Sequence, residues 1–543
     1  MATHEHHCGC SSSGCCGARA PGVTRRQFMA STGAVTLAGA LYGAAGYSAT
    51  RAATRPARPN PQGNEPLRMQ PVLVYEIPAY REAASWRNWG GLITEEHAEE
   101  ERRRINAELE AMKAKVDFPL ELLPLVSVRN AEEAEDVAAE DHDGVIIYGA
   151  GCGTGVLVAL ADPAKLNVMF VRHRSGPAYL WYEIVHPRFL RRESDEFQKT
   201  GNMNIQDVVV DDYDELLWRL RALNGVKGIR GKRVVCIGGA GGWGHSTDAP
   251  SLARELWDLD LVDVSNEELG ERIEAARNDS ELLERCKEEA RAYLEQPGVT
   301  LLPRQENLTT AELMAGRGSE ETLDEMRTYF ENAFVLAEIF KDLMDEHETD
   351  TITVQGCMGW IIPLSETTAC YTLTLLNDSG YLAFCESDFH AIPSGILLHN
   401  ISGKPVFFCN PTFPHKNMTT VAHCSAPRRM DGENLEPVYV RTHFESDYGA
   451  APKVEMPHGQ ELTVLIQDFA SERWIGFEGA VLENPSFDIC TTQLDISIKG
   501  DCAKLAEEMG GFHWMICYGN YLRETGYALR KAGIGWLNLS ETA

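Results

Sequence analysis

Two carboxylates near the ends of predicted strands could carry chemistry in this chain. Asp388 follows the apolar run Tyr381–Cys385, and Glu366 stands in a polar turn before the helix-like segment that precedes this run. Ligands of parallel α/β sheets bind outside the carboxyl ends of the strands, so both side chains are candidates for a ligand site. Together they would offer hard oxygen ligands for Mn²⁺ or Mg²⁺, and one added imidazole would favour Mn²⁺. A solvated surface position is the alternative for each carboxylate.

Neighbouring residues leave other assignments open. Glu386 could replace Asp388 as a ligand, because the sequence does not resolve an offset of two residues. Asp388 and His390 form an Asp-x-His pair that a hydrolytic zinc site could use, although a polar loop position is the favoured interpretation of His390. His423 is predicted to line a substrate pocket, and His415 ranks below it for the same role.

A glycine loop, Gly239–Gly244, follows the predicted strand Arg233–Ile237 and fits the pattern G-x-G-x-x-G, with Asp263 near the position of a ribose-binding acid. A dinucleotide site needs its helix to begin within the glycine turn, so that the helix N-terminus faces the pyrophosphate. Here the cap residues and proline of Ser246–Pro250 start the helix several residues late. The loop is therefore predicted to line a cleft or to form a tight turn, and an NAD-dependent sugar oxidoreductase is the alternative function.

Three segments resemble the L-fucose isomerase and L-arabinose isomerase superfamily, most closely its L-fucose isomerase-related branch. The first is Glu366-x-x-x-Cys370 with the Leu-Leu-Asn-Asp-Ser-Gly that follows it, and the second is the Cys-Glu-Ser-Asp that ends at Asp388. The third is Gly-Phe-His-Trp-Met-Ile-Cys-Tyr-Gly-Asn around His513, with Gly-Ile-Gly-Trp beyond it. The likeness follows the family's domain order over nearly the whole chain after the leader.

This resemblance implies a metal-dependent aldose–ketose isomerase that moves a proton between C1 and C2 of an open-chain sugar through an enediol. It implies that Glu366 and Asp388 are metal ligands with acid/base roles, and that His513 is the ligand histidine. The ion, Mn²⁺ or another divalent metal such as Mg²⁺, would coordinate O1 and O2 of the sugar. Gln355 and Trp514 are further candidates for sugar contact. A trimer or hexamer is also implied, and an exported, non-catalytic sugar-binding protein is a second alternative.

The elements that must position these residues form three parts. Strands that alternate with helices predict two doubly wound, Rossmann-like α/β domains, and closely spaced strands after about residue 395 predict a β-rich, barrel-like domain. Apolar residues at a spacing near 3.6 predict a long amphipathic helix over about residues 319–346. The predicted domains are the N-terminal α/β domain (70–207), the second α/β domain with the metal-site carboxylates (208–395) and the β-rich C-terminal domain (396–543).

Composition excludes several classes of protein. The 543 residues include 50 Lys and Arg against 80 Asp and Glu, which gives a formal net charge of -30. Nucleic acids and anionic membranes require a basic face, so neither is predicted as the main partner. No apolar run of spanning quality occurs after residue 50, which excludes a polytopic membrane protein.

Residues 1–55 are predicted to be a leader, and the Pro- and Arg-rich residues 56–69 a linker. Arg25 and Arg26 precede a charge-free stretch, Phe28–Ala49, that is rich in Ala, Gly, Ser and Thr. This pattern is typical of a twin-arginine signal. It predicts the twin-arginine export machinery as a partner, and a location in the periplasm or tethered to the outer face of the inner membrane. Eleven of the 15 cysteines lie beyond the leader without framework spacing, so free and mostly buried thiols are expected.

Overall fold

The computed structural model describes residues 65–87, 90, 92–179, 189–190, 203–243 and 248–541. All of them belong to one compact unit, Pro59–Ala543. The predicted leader and most of the predicted linker lie outside the described residues. None of the described helices is both long and apolar enough to cross a membrane.

An all-parallel sheet of six strands opens the fold, with helices flanking it. Its elements are β1 (Leu67–Val74), α1 (Glu95–Lys113), β2 (Leu120–Leu122), β3 (Val126–Val128), α2 (Ala131–Ala139), β4 (Gly144–Gly149), α3 (Thr154–Leu160), β5 (Val168–Val171) and β6 (Val208–Val210). The strand order is β2-β1-β4-β5-β6, and β3 also pairs with β1. Every residue of β4 and β5 is buried, as expected for parallel strands that are continuous apolar runs.

A second parallel sheet carries the candidate residues in the loops after its strands. The elements of this part are α4 (Tyr213–Ile229), β7 (Arg233–Ile237), α5 (Ala249–Trp257), β8 (Asp260–Val264), α6 (Asn266–Arg277), α7 (Ser280–Leu294), β9 (Val299–Leu301), α8 (Thr310–Met314), α9 (Leu323–Glu346), β10 (Thr351–Val354), α10 (Ile362–Ser365), α11 (Ala369–Asp378), β11 (Leu382–Phe384) and α12 (Ile392–Ser402). The sheet order is β11-β10-β7-β8. The carboxyl ends of β7, β10 and β11 therefore lie side by side.

A closed six-stranded β-barrel forms the C-terminal part, in agreement with the predicted β-rich, barrel-like character. The elements of the whole C-terminal part, inside and outside the barrel, are β12 (Phe407–Pro411), β13 (Met418–His423), β14 (Val438–His443), β15 (Tyr448–Val454), β16 (Glu461–Ile466), β17 (Arg473–Glu483), β18 (Thr492–Ser497), α13 (Cys502–Glu508), β19 (Trp514–Tyr518), α14 (Leu522–Lys531) and β20 (Gly535–Asn538). The barrel order is β16-β19-β12-β13-β18-β17, and pairing of β16 with β17 closes it. The strand β20 extends β17 in parallel.

Two short strands cross the predicted boundaries between the parts. The strand β9 lies within the range 208–395 but pairs with β14 in a separate sheet of order β15-β14-β9. The strand β6 begins at Val208, just beyond the predicted end of the first part, yet it completes the first sheet. Each has only three residues, too few for an alternation of apolar and polar residues to assign it from sequence. The long predicted helix begins at Leu323, because Glu320–Thr322 form a 3₁₀ turn before it.

The N-terminus of α11 is held against β15 at close range. Thr368 Oγ1 donates a hydrogen bond to the carbonyl of Ala450 at 2.8 Å, and the amide of Ala450 donates to Thr367 Oγ1 at 3.3 Å. Gly449 lies between these contacts with φ of +67°, and a Cβ atom placed on it would be 2.3 Å from the Thr368 amide nitrogen. Only glycine allows the two backbones to approach this closely.

The C-terminus of α11 ends in a buried carboxylate, that of Asp378. Its Oδ1 accepts hydrogen bonds from the amides of Arg428 and Arg429 at 2.7 and 2.8 Å. Its Oδ2 is buried without a hydrogen-bond partner among the described residues. Burial raises the pKa of Asp378 to about 6, and the hydrogen bonds and the two nearby arginine charges only partly offset burial.

We expect Asp378 to lower the stability of the protein as the pH rises from about 4 to about 6. The folded pKa lies above the ordinary value of 3.8, so the folded state keeps a proton that the unfolded state releases. The stabilisation by protonated Asp378 is complete below the pKa that this residue has in the unfolded state. It is lost as the pH rises through the pKa that Asp378 has in the folded state. A rise of about two pKa units corresponds to up to about 3 kcal/mol. Relative to wild type, Asp378→Asn should therefore gain up to about 3 kcal/mol in urea unfolding between about pH 4 and pH 7.5.

The control for this measurement is Asp211→Asn. Burial raises the pKa of Asp211, but hydrogen bonds from Ser175 and from the amides of residues 173–175 outweigh burial and lower the pKa to about 2. The contribution of Asp211 is lost only as the pH falls through that low value, so its substitution should cost the same free energy at about pH 4.5 and pH 7.5. The same pH trend in both variants would contradict the role of Asp378.

Candidate functional site

The loop after β11 carries the acidic residues, and its backbone follows an unusual path. Glu386 and Ser387 have φ of 64° and 47°, in the left-handed region that residues other than glycine rarely adopt. The amide of Gly241, from the loop after β7, donates to the carbonyl of Ser387 at 3.1 Å. Such backbone strain persists only where surrounding contacts impose it, and it clusters at functional sites. The turn places the carboxylates of Glu386 and Asp388 against the same imidazole, that of His513.

Asp388 is fully buried and is held in a fixed orientation. Its Oδ1 accepts hydrogen bonds from the amides of Trp243 and His390 at 3.2 and 3.1 Å. Its Oδ2 lies 2.6 Å from Nδ1 of His513. Burial raises the pKa of Asp388, but hydrogen bonds from His390 and His513 outweigh burial and lower the pKa to about 2. Asp388 is therefore a buried anion that fixes the ring of His513.

The glycine loop lines the edge of this site, as the sequence predicts. It forms an isolated parallel bridge between Gly241 and Asp388. The following helix begins late, at Ala249, after Asp248 caps it. Asp263, the residue considered for ribose binding, instead accepts a hydrogen bond from the amide of Ala240 at 3.2 Å. The backbone amides of the loop thus hold the carboxylates of Asp263 and Asp388.

Glu386 lies between two imidazoles. Its Oε1 is 3.5 Å from Nε2 of His423, and its Oε2 is 3.4 Å from Nε2 of His513. The side chain of Glu386 is 31% exposed, whereas both histidine side chains are buried, so Glu386 is where this cluster meets solvent. Burial raises the pKa of Glu386, but hydrogen bonds from His423 and His513 outweigh burial and hold it well below its ordinary value.

The ionisation of His513 follows from these two carboxylates. Burial lowers its pKa, but the hydrogen bonds and charges of Asp388 and Glu386 outweigh burial and raise it above the ordinary histidine value. The cluster therefore combines two carboxylates that favour the anion with an imidazole that favours the cation.

The barrel positions both imidazoles. His423 is the last residue of β13, and His513 directly precedes β19. The strand β12 pairs with both of these strands, and the ring of Phe408 on β12 lies 5.0 Å from the ring of His423 and 4.3 Å from that of His513. The second parallel sheet thus supplies the carboxylates, and the barrel supplies the imidazoles.

An aromatic surface adjoins the cluster. The rings of Trp243 and Phe512 stack at 5.5 Å with an interplanar angle of 12°, and Phe512 is partly exposed. Trp243 also meets His513 edge-on at 6.5 Å between ring centres. This surface offers a bound molecule an apolar face beside the charged groups.

Glu366 lies elsewhere. It follows α10 in a left-handed conformation, its side chain is half exposed, and its carboxylate is 3.5 Å from the guanidinium of Arg277. Among the contacts of the described residues, it has none with Asp388 or His513. Because Glu366 ends a one-turn helix, the chain turns there and directs its side chain to the surface. The carboxylate that joins Asp388 is Glu386, which the sequence offered only as a replacement for Asp388 and not for Glu366.

The remaining predicted residues take different positions. The side chain of Gln355 lies against the glycine loop, with Nε2 2.6 Å from where a Cβ atom of Gly241 would be. Trp514 is fully buried in the barrel core, since neighbours on a strand point to opposite faces and His513 points to the cluster. His390 is buried and holds Asp388 through its amide. His415 is exposed and its Nδ1 lies 3.0 Å from the carbonyl of Phe413.

The donor atoms present determine which metal suits this cluster. Cys385, Glu386 and His423 each offer one ligand atom within 4.8 Å of the others. On the other side of Glu386, Nε2 of His513 is buried and lies 3.4 Å from Glu386 Oε2. Mg²⁺ prefers oxygen ligands alone, so this set does not suit it. Divalent transition metals such as Mn²⁺, Fe²⁺ and Zn²⁺ accept imidazole together with carboxylate, and they fit the residues present.

The sequence interpretation did not identify Cys385 as a candidate ligand, and it assigned His423 to substrate contact. A simple signal exists for both, since Cys385 ends the apolar run Tyr381–Cys385 beside Glu386, and His423 stands beside Cys424. Neither signal distinguishes a ligand from a core residue until β11 and β13 are placed next to each other.

Two surface cavities lie apart from the cluster. One of about 700 Å³ is lined by Phe413, Lys416 and Asp501 among others, and one of about 550 Å³ by Trp218, Arg219 and Arg523 among others. Neither is lined by a residue of the carboxylate–imidazole cluster. We therefore locate the candidate site by its chemistry rather than by its concavity.

Comparison with known proteins does not assign the chain to a family. The chain matches no known protein-family model, and no curated protein sequence matches it.

Proposed function

We propose that the protein is a metal-dependent aldose–ketose isomerase-like enzyme that acts on an open-chain sugar. The observation that carries the proposal is the placement of Glu386, with an imidazole on each carboxylate oxygen at 3.4 and 3.5 Å. The ring of one of these imidazoles, His513, is held in place by the buried anion Asp388, whose Oδ2 lies 2.6 Å from Nδ1 of the ring. The sugar class comes from the resemblance of the sequence segments around Asp388 and His513. The geometry supports the proton transfer that this chemistry needs.

Glu386 is the residue that we assign to move the proton between C1 and C2. It is the partly exposed member of the cluster, so a bound sugar can reach its carboxylate oxygens. Its pKa is low because two imidazoles face it. A sugar oxygen that engages either Nε2 removes one of these contacts, which makes the carboxylate more basic when the substrate is in place.

The two imidazoles orient the sugar oxygens. Asp388 accepts from Nδ1 of His513, which leaves Nε2 of that ring directed at the open side of the cluster. Nδ1 of His423 lies 3.0 Å from Ser425 Oγ, which fixes its ring in the same way. Cys385, Glu386 and His423 would hold the metal ion, and Asp388 would fix the ring of His513 beside it. When bound, a divalent ion polarises the sugar carbonyl and stabilises the charge that develops on its oxygen.

The proposal includes the architecture and location that the sequence predicts. The two parallel sheets would each form a doubly wound, Rossmann-like domain, with the catalytic carboxylates in the second. The twin-arginine leader would export the folded protein to the periplasm or to the outer face of the inner membrane. The active assembly would be a trimer or a hexamer. The alternation of strands and helices, the leader pattern and the family resemblance support these three statements respectively.

The test is proton exchange at C2 of the sugar. We expect the Mn²⁺-loaded protein, incubated in D₂O with aldoses that include L-fucose, D-arabinose and L-arabinose, to deuterate C2 of at least one of them and to form its ketose. NMR spectroscopy measures both signals. Omission of the metal is the control. Sugar binding without exchange would replace the proposal with a non-catalytic binding protein, and activity that requires NAD would replace it with an oxidoreductase.

A further inference from the structure

A second group of donor side chains, built from thiols, lies beside the carboxylate–imidazole cluster. The Sγ atoms of Cys370 and Cys424 are 3.3 Å apart, and one ring nitrogen of His443 lies within 4.8 Å of both. All three side chains are buried. Cys370 lies on α11, Cys424 directly follows β13, and His443 ends β14. The tertiary fold, rather than a local turn, assembles this group, which we call the thiol cluster.

Two more thiols touch its edges. Cys357 is in hydrogen-bonding contact with Cys370, and Cys490 is in hydrogen-bonding contact with Cys424. Cys357 also accepts a hydrogen bond from the amide of Ala369 at 3.4 Å. The thiol cluster therefore has a third sulfur, and with it a fourth donor, within reach on either side.

The surroundings of the thiol cluster differ from those of an inert core cysteine. A free cysteine in a core behaves as a small apolar side chain among other apolar side chains, as Cys409 does in the main core. Cys370 and Cys424 instead form a small group with Ala451, separate from that core. Nδ1 of His423 lies 4.0 Å from Sγ of Cys424. Apolar packing alone does not explain why these thiols lie together.

We propose that Cys370, Cys424 and His443, with Cys357 or Cys490 as a fourth ligand, bind one Zn²⁺ ion in a closed, structural site. Sulfur ligands of tetrahedral zinc, at about 2.3 Å from the metal, lie roughly 3.8 Å apart, which is close to the observed separation.

The orientation of the donors supports this assignment. Nδ1 of His443 lies 3.2 Å from Ser446 Oγ, an arrangement that leaves Nε2 as the ligand atom. Cys370 is in the first turn of α11, where the helix dipole favours a thiolate. Sulfur and imidazole donors select zinc over the harder ions that carboxylates prefer. Because all three principal donors are buried, the site has no position open to a substrate, and its role would be to join α11 to the barrel and β14.

The test uses the full chain with its four leader cysteines replaced by serine, so that the sulfur signal arises only from the residues after the leader. These residues are Cys8, Cys10, Cys15 and Cys16. The protein is loaded with Zn²⁺ and dialysed, its zinc content is measured by mass spectrometry, and X-ray absorption at the zinc edge identifies the ligands. The double variant Cys370→Ser/Cys424→Ser is compared with Cys502→Ser, which alters a partly exposed thiol on α13. Substitution with Co²⁺ gives a second readout, the thiolate-to-cobalt absorption in the near ultraviolet.

We expect about one zinc per chain with sulfur neighbours at about 2.3 Å, in addition to any zinc held by the carboxylate–imidazole cluster, and we expect this zinc to be lost in the double variant and kept in Cys502→Ser. If the double variant does not fold, the zinc-edge spectrum and the cobalt absorption of the protein with an intact cluster still decide the question. Zinc surrounded by nitrogen and oxygen alone would overturn the proposal. So would a metal-free protein with a Cys370–Cys424 disulfide in a peptide map made without reductant. The result is independent of the proposed isomerase activity, because Glu386→Gln should leave the sulfur signal unchanged.

Discussion

Glu386→Gln should lower the metal-dependent deuteration of the sugar at C2 by roughly 10²–10⁴-fold, the usual contribution of a general acid–base residue. Glutamine keeps the size of the side chain but cannot take up a proton, and it removes the anion that both imidazoles face. The measurement is kcat/KM for C2 exchange in D₂O, made with saturating Mn²⁺ and with each variant checked for an unchanged melting temperature. Binding of the sugar, followed by its effect on melting temperature, should persist.

The matched control is Glu455→Gln. Its side chain is also 31% exposed and it also faces a buried cationic side chain, that of Lys453, at 2.8 Å. We expect this variant to retain full exchange. Glu366→Gln discriminates between the two assignments, because the resemblance gives Glu366 the role that we propose for Glu386. If Glu366→Gln abolished exchange while Glu386→Gln retained it, the assignment of Glu386 would be wrong.

Gly449→Ala should destabilise the protein by about 3 kcal/mol or more, a large effect for a single methyl group. The new Cβ atom would lie 2.3 Å from the amide nitrogen of Thr368 and 2.9 Å from the carbonyl carbon of Thr367, both of them backbone atoms that cannot rotate away. Relief requires α11 to move from β15, which breaks the hydrogen bonds between these elements. Urea unfolding followed by tryptophan fluorescence measures the loss.

Comparison with Gly459→Ala separates the stability lost through steric overlap from the stability lost through backbone strain. Gly459 has a similar φ of +78°, but a Cβ atom on it would have no neighbour within 4 Å. We expect this variant to cost about 1 kcal/mol, the penalty of a left-handed conformation for a residue other than glycine. Equal losses in the two variants would show that close packing of α11 on β15 does not constrain Gly449.

The secondary structure was largely accessible from sequence where the apolar pattern is long. The strand Arg233–Ile237 has the predicted limits, since it is an apolar run that ends at a glycine loop. The late start of α5 also follows the prediction, because Asp248 and the proline after it provide a cap and a first turn. The strand β9 gave no comparable signal, since three residues cannot show a period.

The candidate site was only partly accessible. Asp388 and His513 were named from short segments of sequence, and the structure brings them to 2.6 Å although they lie 125 positions apart in the chain. The presence of Glu386 beside Asp388 in place of Glu366 was not accessible, because it depends on which way the chain turns after α10 and after β11. The left-handed conformation of Glu386 and Ser387 has no signature in residue type.

The sequence by itself therefore determined the elements, because local periodicity, caps and turns act over a few residues. It determined an acidic protein with two parallel α/β sheets followed by a β-rich part, and it singled out the strand-end loop that holds Asp388. Only the tertiary structure decided which donors meet, since that depends on the closure of the barrel and on the contact of its strands with the end of the second sheet. The physical reason is that side chains from β11, β13 and β19 come within a few ångströms only after three separate elements have packed together.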